Sequence, residues 1–349
     1  MPSGFYRLGR FGVRIRTWEH GVVFKVNAAS CDLGEGWERG RFRCAASTLR
    51  ERLGANVMGA SVYEMQAGDK QGPYHYHHGV EEWMYVISGA PILRDPSGER
   101  TLEPGDLVAF RSGPLGAHTV HGPGRVIIFS TGADGWGEAF VTVYLDSDKI
   151  GAAPGVMFRR GDAVDSWRED ASDPSTPARG PISKQAGPVV NVVSMAAEPH
   201  PDDEPSDRPR VRGTKLGPLL GAETWAATLF ELAPGDATAP YHYEWCREEW
   251  VLVLRGAPTL RHPDGEDVLD PCDIVCFPEG PAGAHRLLNH SKETVRLVIF
   301  STPSGRPMSA FYPDDGTVLV RIPDYEGFLF RLDDQIDDYW DGEPGAGAA

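Results

Sequence analysis

The strongest constraint on the fold of this 349-residue chain is an internal duplication. Residues 73–118 align with residues 240–285 without a gap, at the constant offset that separates His75 from His242. More than half of the aligned positions are identical. Chance does not produce such agreement over so long a stretch, so the chain carries two copies of one structural unit.

The duplication also predicts the domain boundaries. Outside the central region the similarity weakens, although VVFKVNAAS from Val22 still corresponds to VVNVVSMAA from Val189. Between the copies, residues 168–188 are rich in Pro, Ser, Gly and charge, and they cannot bury enough apolar area to fold alone. We therefore predict a first domain over 1–167, a linker over 168–188 and a second domain over 189–349.

The local sequence signals within each copy are those of β-strands. EWMYVISG from Glu82 and EWVLVLRG from Glu249 are short β-branched and aromatic runs that end at glycine. DLVAF from Asp106 and DIVCF from Asp273 predict further buried strands, and Pro/Gly turns lie between them. Many short strands with closely spaced turns favour closed sheets without exposed edges. We predict an all-β fold of two tandem barrels with little helix.

The charge balance restricts the partners of the protein. There are 34 basic and 50 acidic residues, a net charge of −16. Binding to nucleic acid or to an anionic membrane surface needs concentrated Lys and Arg, so neither is expected as the main partner. No run approaches the roughly 18 apolar residues that span a bilayer. We expect a small-molecule substrate as the partner.

The cysteines and the N-terminus predict a cytoplasmic location. Five cysteines, an odd number spread over a long chain, imply no disulfide framework and fit a reducing compartment. The N-terminal segment is basic but lacks the continuous apolar core of a signal peptide.

Four residues of the first copy form a candidate metal site. His75 and His77 are two apart on a predicted strand, so both side chains point to one face. Glu82 follows after a short turn, and His118 returns from a later strand after PLGA. Three imidazoles and a carboxylate suit Fe, Mn, Ni, Cu, Co or Zn. Four protein ligands leave one or two coordination positions open for a substrate or dioxygen.

These motifs resemble those of a known superfamily. GPYHYHHGVEEWMYVISG from Gly72 is similar to the first cupin motif, and GDLVAFRSGPLGAH from Gly105 is similar to the second. The second motif departs slightly, with one residue instead of two between Gly116 and His118. The resemblance implies a bicupin. Each half would be a small antiparallel jelly-roll barrel (a double-stranded β-helix), and the first would hold a metal inside.

The second copy has one candidate ligand exchanged. His242, Glu249 and His285 keep their places, but Glu244 stands where the first copy has His77. Three interpretations are open. The four residues bind a metal as two His and two Glu, or the site has lost its metal and become structural, or it holds an organic group with Glu244 as an acid or base.

The functional prediction is a mononuclear metalloenzyme of dioxygenase or oxidoreductase type, acting on a small organic substrate. The alternatives are a metal-dependent sugar or sugar-phosphate isomerase and a small-molecule-binding cupin without turnover. The metal is a divalent transition metal whose identity the sequence leaves open. Catalytic residues beyond the ligands are not assigned, and both a monomer and a homo-oligomer fit. The repeated tryptophans Trp83 and Trp250 are expected to pack between barrels or subunits.

Overall fold

The architecture is all-β, as predicted. The computed structural model describes residues 24–130, 141–152, 156–162, 187–198, 211–302, 307–323 and 327–336. Nearly all of its regular structure is antiparallel strand, and the one α-helix in these ranges is short. No helix in the described part of the chain is long and apolar enough to cross a bilayer.

The first copy and the segment before it contribute fourteen strands. The two predicted runs, Glu82–Gly89 and Asp106–Phe110, are strands over their whole lengths. Three 3-10 turns accompany them, at Glu51–Leu53, Pro114–Gly116 and Arg160–Asp162. The strands are β1 (Lys25–Asn27), β2 (Gly34–Arg39), β3 (Phe42–Thr48), β4 (Gly59–Met65), β5 (His75–His78), β6 (Glu82–Gly89), β7 (Ile92–Asp95), β8 (Gly98–Thr101), β9 (Asp106–Phe110), β10 (Thr119–His121), β11 (Gly124–Ser130), β12 (Val141–Tyr144), β13 (Lys149–Ala152) and β14 (Val156–Arg159).

The second copy repeats this order. One helix, α1 (Leu216–Leu220), occupies the place of the first 3-10 turn, and two further 3-10 turns lie at Pro281–Gly283 and Leu332–Asp334. The strands are β15 (Val189–Asn191), β16 (Arg212–Lys215), β17 (Ala226–Leu232), β18 (Tyr243–Trp245), β19 (Glu249–Arg255), β20 (Thr259–His262), β21 (Gly265–Val268), β22 (Asp273–Phe277), β23 (Arg286–Leu288), β24 (Val295–Ser301), β25 (Met308–Tyr312), β26 (Thr317–Arg321) and β27 (Phe328–Arg331).

Each barrel is built from three sheets. In the first barrel the orders are β15-β9-β6-β11-β4-β3-β2, β14-β13-β12-β5 and β10-β7-β8. In the second they are β1-β22-β19-β24-β17-β16, β18-β25-β26-β27 and β21-β20-β23. The equivalent strands occupy equivalent places, so the duplicated sequence gives a duplicated barrel.

The barrels exchange their first strands. β1 precedes the first barrel but pairs with β22 of the second, and β15 precedes the second barrel but pairs with β9 of the first. Each exchanged strand ends in an asparagine whose amide donates to an aspartate of the receiving strand. These distances are 2.9 Å from Asn27 to Asp273 and 3.0 Å from Asn191 to Asp106. Each exchanged strand thus covers an edge that would otherwise be open to another chain.

This exchange corrects the alignment at the start of each copy. The sequence alignment places Val22 opposite Val189. In the structure, Lys25–Asn27 is the strand equivalent to Val189–Asn191, because the two pair with equivalent strands of the opposite barrels. The two segments do correspond, and their register differs by three residues. Of the predicted linker 168–188, only residues 187 and 188 lie among the described residues. The boundaries of the two predicted domains remain a prediction.

A shared aromatic core joins the barrels. Trp83 and Trp250 are fully buried, as are Phe129 and Phe300, and all four belong to one cluster built from both barrels. Phe129 stacks on Phe300 with ring centroids 4.4 Å apart. The two tryptophans therefore pack between barrels within one chain. Burying each such ring contributes about 1.5–3 kcal/mol, so the interface is a large part of the stability of the fold.

Two buried glutamates stabilise this interface by accepting hydrogen bonds from the backbone of the opposite barrel. Glu248 reaches from the second barrel and accepts hydrogen bonds from the backbone N–H groups of residues 56–58, at 2.6 to 3.1 Å. Glu81 makes the equivalent bonds from the first barrel to residues 223–225, at 2.7 to 3.2 Å. Each carboxylate also accepts a bond from the indole N–H of the tryptophan two residues later. Each barrel therefore organises a loop of the other.

Glu248→Ala tests this role. The change leaves three backbone N–H groups without an acceptor, one buried and two partly buried, and a buried donor without a partner costs about 1–3 kcal/mol. We expect the free energy of unfolding, measured by urea denaturation, to fall by roughly 3–5 kcal/mol. Glu266→Ala, at an exposed position of the same barrel, is the control and should change it by less than about 0.5 kcal/mol. Equal stabilities for the two variants would contradict the stabilising role.

Candidate metal centre

The backbone of the first barrel brings the predicted site residues together. β5 places His75 and His77 on the same face because alternate residues of a strand point the same way. Along one edge, β12 pairs with β5 and sets Thr142 opposite His77. Along the other, His75 and His118 exchange both backbone hydrogen bonds, at 3.1 and 2.8 Å. Residues 43 positions apart in the chain thus become direct neighbours.

The tight turn before His118 depends on glycine. A Cβ on Gly116 would lie 1.9 Å from the carbonyl oxygen of Arg111, so no other residue fits that backbone. The carbonyl oxygen of Gly116 then accepts a hydrogen bond from Nδ1 of His118 at 2.8 Å. The Phe110 ring stacks on the imidazole, with centroids 3.8 Å apart and planes 9° apart. The turn and the ring together fix the orientation of His118.

Four ligand-type groups converge in the first barrel. Nε2 of His75 lies 3.1 Å from Nε2 of His77. An oxygen of Glu82 lies 3.4 Å from Nε2 of His77 and 3.4 Å from Nε2 of His118. Ligand-type atoms of His75, His77 and Glu82 all lie within 4.8 Å of one another, and His118 joins these three through its contact with Glu82.

The Nδ1 atom of each of the three imidazoles has a hydrogen-bond partner outside the cluster. Nδ1 of His75 lies 2.7 Å from the carbonyl oxygen of Pro73, and Nδ1 of His118 bonds to Gly116 as described. A carbonyl oxygen only accepts, so Nδ1 of these two rings carries the proton and Nε2 presents its lone pair inward. Nδ1 of His77 lies 2.9 Å from the hydroxyl oxygen of Thr142. Outer partners of this kind orient the histidines of metal sites.

The electrostatics favour a bound cation. Burial lowers the pKa of His118 to about 3 and also lowers the pKa of His75, and neighbouring imidazoles act in the same direction. Burial opposes ionisation of Glu82, but His77 and the other imidazoles bring its pKa down to about 2. Burial lowers the pKa of His77, yet Glu82 outweighs it and the net pKa is raised. A carboxylate beside two imidazoles that resist protonation, those of His75 and His118, suits a bound cation.

The donor set fits a transition metal. Donors bound at about 2.1 Å to one ion lie roughly 3.0–3.4 Å from each other in octahedral or tetrahedral geometry. Three of the six pairs of inner atoms fall in this range, at 3.1 Å for His75 and His77, 3.4 Å for His77 and Glu82, and 3.4 Å for His118 and Glu82. Three imidazole nitrogens and one carboxylate oxygen are ligands typical of Fe, Mn, Ni, Cu, Co or Zn.

The second barrel holds three of the four equivalent groups together. Ligand-type atoms of His242, Glu249 and His285 lie within 4.8 Å of one another. An oxygen of Glu249 lies 3.5 Å from Nε2 of His285, and its other oxygen accepts a 2.5 Å hydrogen bond from Ser301. Phe277 stacks on His285 as Phe110 does on its counterpart. The framework of the site is thus kept in both barrels.

Glu244 does not belong to that group of three. One of its oxygens lies 3.4 Å from Arg247, and the other is buried without a hydrogen-bond partner. Burial, and after it the charge of Glu249, raises the pKa of Glu244 to about 8. On the neighbouring strand, Ala310 lies opposite Glu244, whereas Thr142 lies opposite His77 in the first barrel. The second barrel therefore lacks both the histidine and the hydroxyl that contacts it. A ligand role for Glu244 remains a prediction.

A cavity of about 510 Å³ opens onto the second cluster. Its inner end is formed by His242, Glu249 and His285. Its walls include three cationic side chains, which are Lys215, Arg247 and Arg321.

The sequence prediction missed several residues that shape these sites. Thr142 was missed because it is distant in sequence and follows no motif. Glu81 and Glu248 carried a signal, since the doublet EE occurs in both copies and only its second member is a ligand candidate. Arg247 was also detectable, because the first copy has Val80 in its place.

Comparison with known proteins agrees with this geometry. Residues 61–131 match the sequence model of the cupin domain family, and this region contains all four converging residues of the first barrel. Within this stretch the chain is similar to the cupin domain family. The second barrel repeats the strand order of the first and keeps its His and Glu positions at His242, Glu249 and His285. No curated protein matches the chain in sequence.

Solved structures with similar folds include two kinds of cupin. A sugar phosphate isomerase from Silicibacter pomeroyi is 24% identical, with 36% of this chain and 78% of that chain covered and a TM-score of 0.34. Oxalate decarboxylase from Bacillus subtilis is 18% identical, with 82% of this chain and 78% of that chain covered and a TM-score of 0.48. Both TM-scores lie below 0.5.

Thr142→Val tests the orientation of His77. Valine keeps the shape of threonine but cannot bond Nδ1, and loss of such an outer partner weakens metal binding by about 10- to 100-fold. We expect that increase in the dissociation constant, measured by competition with a chelator, while Thr142→Ser retains affinity. Wild-type affinity in the valine variant would show that the hydroxyl does not orient the ring.

Proposed function

We propose that the protein is a mononuclear metalloenzyme of dioxygenase or oxidoreductase type that acts on a small organic substrate in its first barrel. The observation that supports this most is the cluster of His75, His77 and Glu82 inside the first barrel, with the buried His118 3.4 Å from Glu82. Four protein ligands leave one or two positions open on a metal that prefers five or six.

The residues of the first barrel prepare the site for such chemistry. When bound, the metal would supply redox chemistry or Lewis acidity at its open positions. Glu82 contributes a negative charge because neighbouring imidazoles lower its pKa to about 2, and His75 and His118 present neutral nitrogen lone pairs because burial lowers their pKa. Phe110 covers one face of His118 and limits the approach of water to it. Thr142 keeps the ring of His77 in one orientation.

Metal content is the first test. We expect purified protein to carry about one transition-metal ion per chain, with loss of that ion in His77→Ala because one of four donors is removed. Glu244→Ala changes the equivalent position of the second barrel and is the matched control, which should retain the ion. Elemental analysis measures both. Wild-type protein without metal, or equal metal in wild type and His77→Ala, would contradict the proposal.

Oxygen dependence separates the proposed chemistry from its alternatives. Oxygen uptake across a panel of catechols, diketones and small acids should be metal-dependent, and turnover should stop under anaerobic conditions. Turnover that continues without oxygen on sugars or sugar phosphates would support an isomerase instead. Ligand binding without turnover under either condition would support a non-catalytic cupin.

A further inference from the structure

The cavity of the second barrel has a charge character that its counterpart lacks. Lys215, Arg247 and Arg321 all line it, in a protein whose net charge is −16. The gapless alignment places Val80 of the first copy opposite Arg247. Strand pairing places Thr48 at the position of Lys215, because Thr48 lies opposite Ser61 as Lys215 lies opposite Thr228. The two barrels have therefore diverged in the charge of the interior as well as in one ligand.

Most of this positive charge is not neutralised within the described part of the chain. Arg247 lies 3.4 Å from Glu244, but neither Lys215 nor Arg321 forms an ion pair with any residue that the structure describes. The cavity also contains Glu223, and that carboxylate is engaged by Arg111 at 3.2 Å. Glu249 at the inner end is the other lining carboxylate, and it accepts a 2.5 Å hydrogen bond from Ser301. Three cationic side chains therefore line the cavity against two acidic ones, and an excess of positive charge in a concave site attracts anions.

The remaining walls are mostly apolar. Trp225, Phe230 and Ile299 line the cavity together with several alanines. The indole Nε1 of Trp225 is buried without a hydrogen-bond partner. A volume of about 510 Å³ falls within the range usual for small-molecule sites, which are concave and largely apolar with a few polar groups. The walls suit a ligand with an apolar body and one anionic group.

We propose that the second barrel binds a small organic anion, a carboxylate or a phosphate ester, in this cavity. Arg247 and Arg321 bind the anionic group, because guanidinium pairs with either oxyanion through parallel N–H bonds. Lys215 adds a third positive charge, and the ring of Trp225 packs against the apolar body. The proposal does not depend on the metal of the first barrel or on turnover there.

Direct binding to the full-length protein tests the proposal. Benzoate, phenyl phosphate and benzamide share one ring and differ in charge, so calorimetric titration with each isolates the anionic group. We expect benzoate or phenyl phosphate to bind and benzamide to bind at least roughly tenfold more weakly, because a hydrogen bond to a charged group is lost. The tighter of the two anions identifies the oxyanion. Equal affinity for benzamide, or no binding of either anion at millimolar concentration, would overturn the proposal.

Variants locate the site. Arg321→Met and Arg247→Met should each weaken anion binding by about tenfold or more, and Arg321→Lys should keep part of the affinity by keeping the charge. Arg255→Met is the control, an exposed arginine of the same barrel outside the cavity. If both methionine variants melt like wild type and bind the anion unchanged, the site is elsewhere. Loss of binding in His77→Ala together with unchanged binding in both methionine variants would place the anion in the first barrel.

Discussion

The reciprocal hydrogen bonding of Glu81 and Glu248 is the constraint on which the rest of the structure depends. Each is a fully buried carboxylate, and burial of that group is tolerable only because several N–H donors of the other barrel surround it. Each is followed directly by a residue of a candidate site, Glu82 in the first barrel and Glu249 in the second. Because successive residues point to opposite sides, one carboxylate fixes the interface while the next faces the barrel interior.

This arrangement explains why the duplicated doublet is identical while its surroundings differ. The interface needs the same carboxylate in both copies, since each barrel holds a loop of the other. The interior is under no such constraint. His77 with Thr142 in one barrel becomes Glu244 with Ala310 in the other, so the ligand and its outer partner changed together. The result is a common frame around two chemically different cavities.

The sequence was sufficient to predict the all-β fold, and it also placed the candidate residues of the first site close together, for physical reasons. Strands such as Glu82–Gly89 are predictable from sequence because they are runs of β-branched and aromatic residues that end at glycine. The spacing of His75 and His77 determines a common face whatever the rest of the chain does. The exchange of β1 and β15 was not predictable, because short apolar strands pair equally well with either barrel until the tertiary structure selects one. Thr142 and the lining of the second cavity likewise depend on contacts between distant segments.

The central claim is that the first barrel holds its metal through three histidines and one glutamate. Anomalous diffraction from crystals of the metal-bound protein, measured on both sides of the absorption edge of its metal, tests this most directly. The account predicts an edge-specific peak bonded to Nε2 of the three histidines and to a carboxylate oxygen of Glu82, at about 2.0–2.2 Å. A bound metal with no peak among these four residues would contradict it.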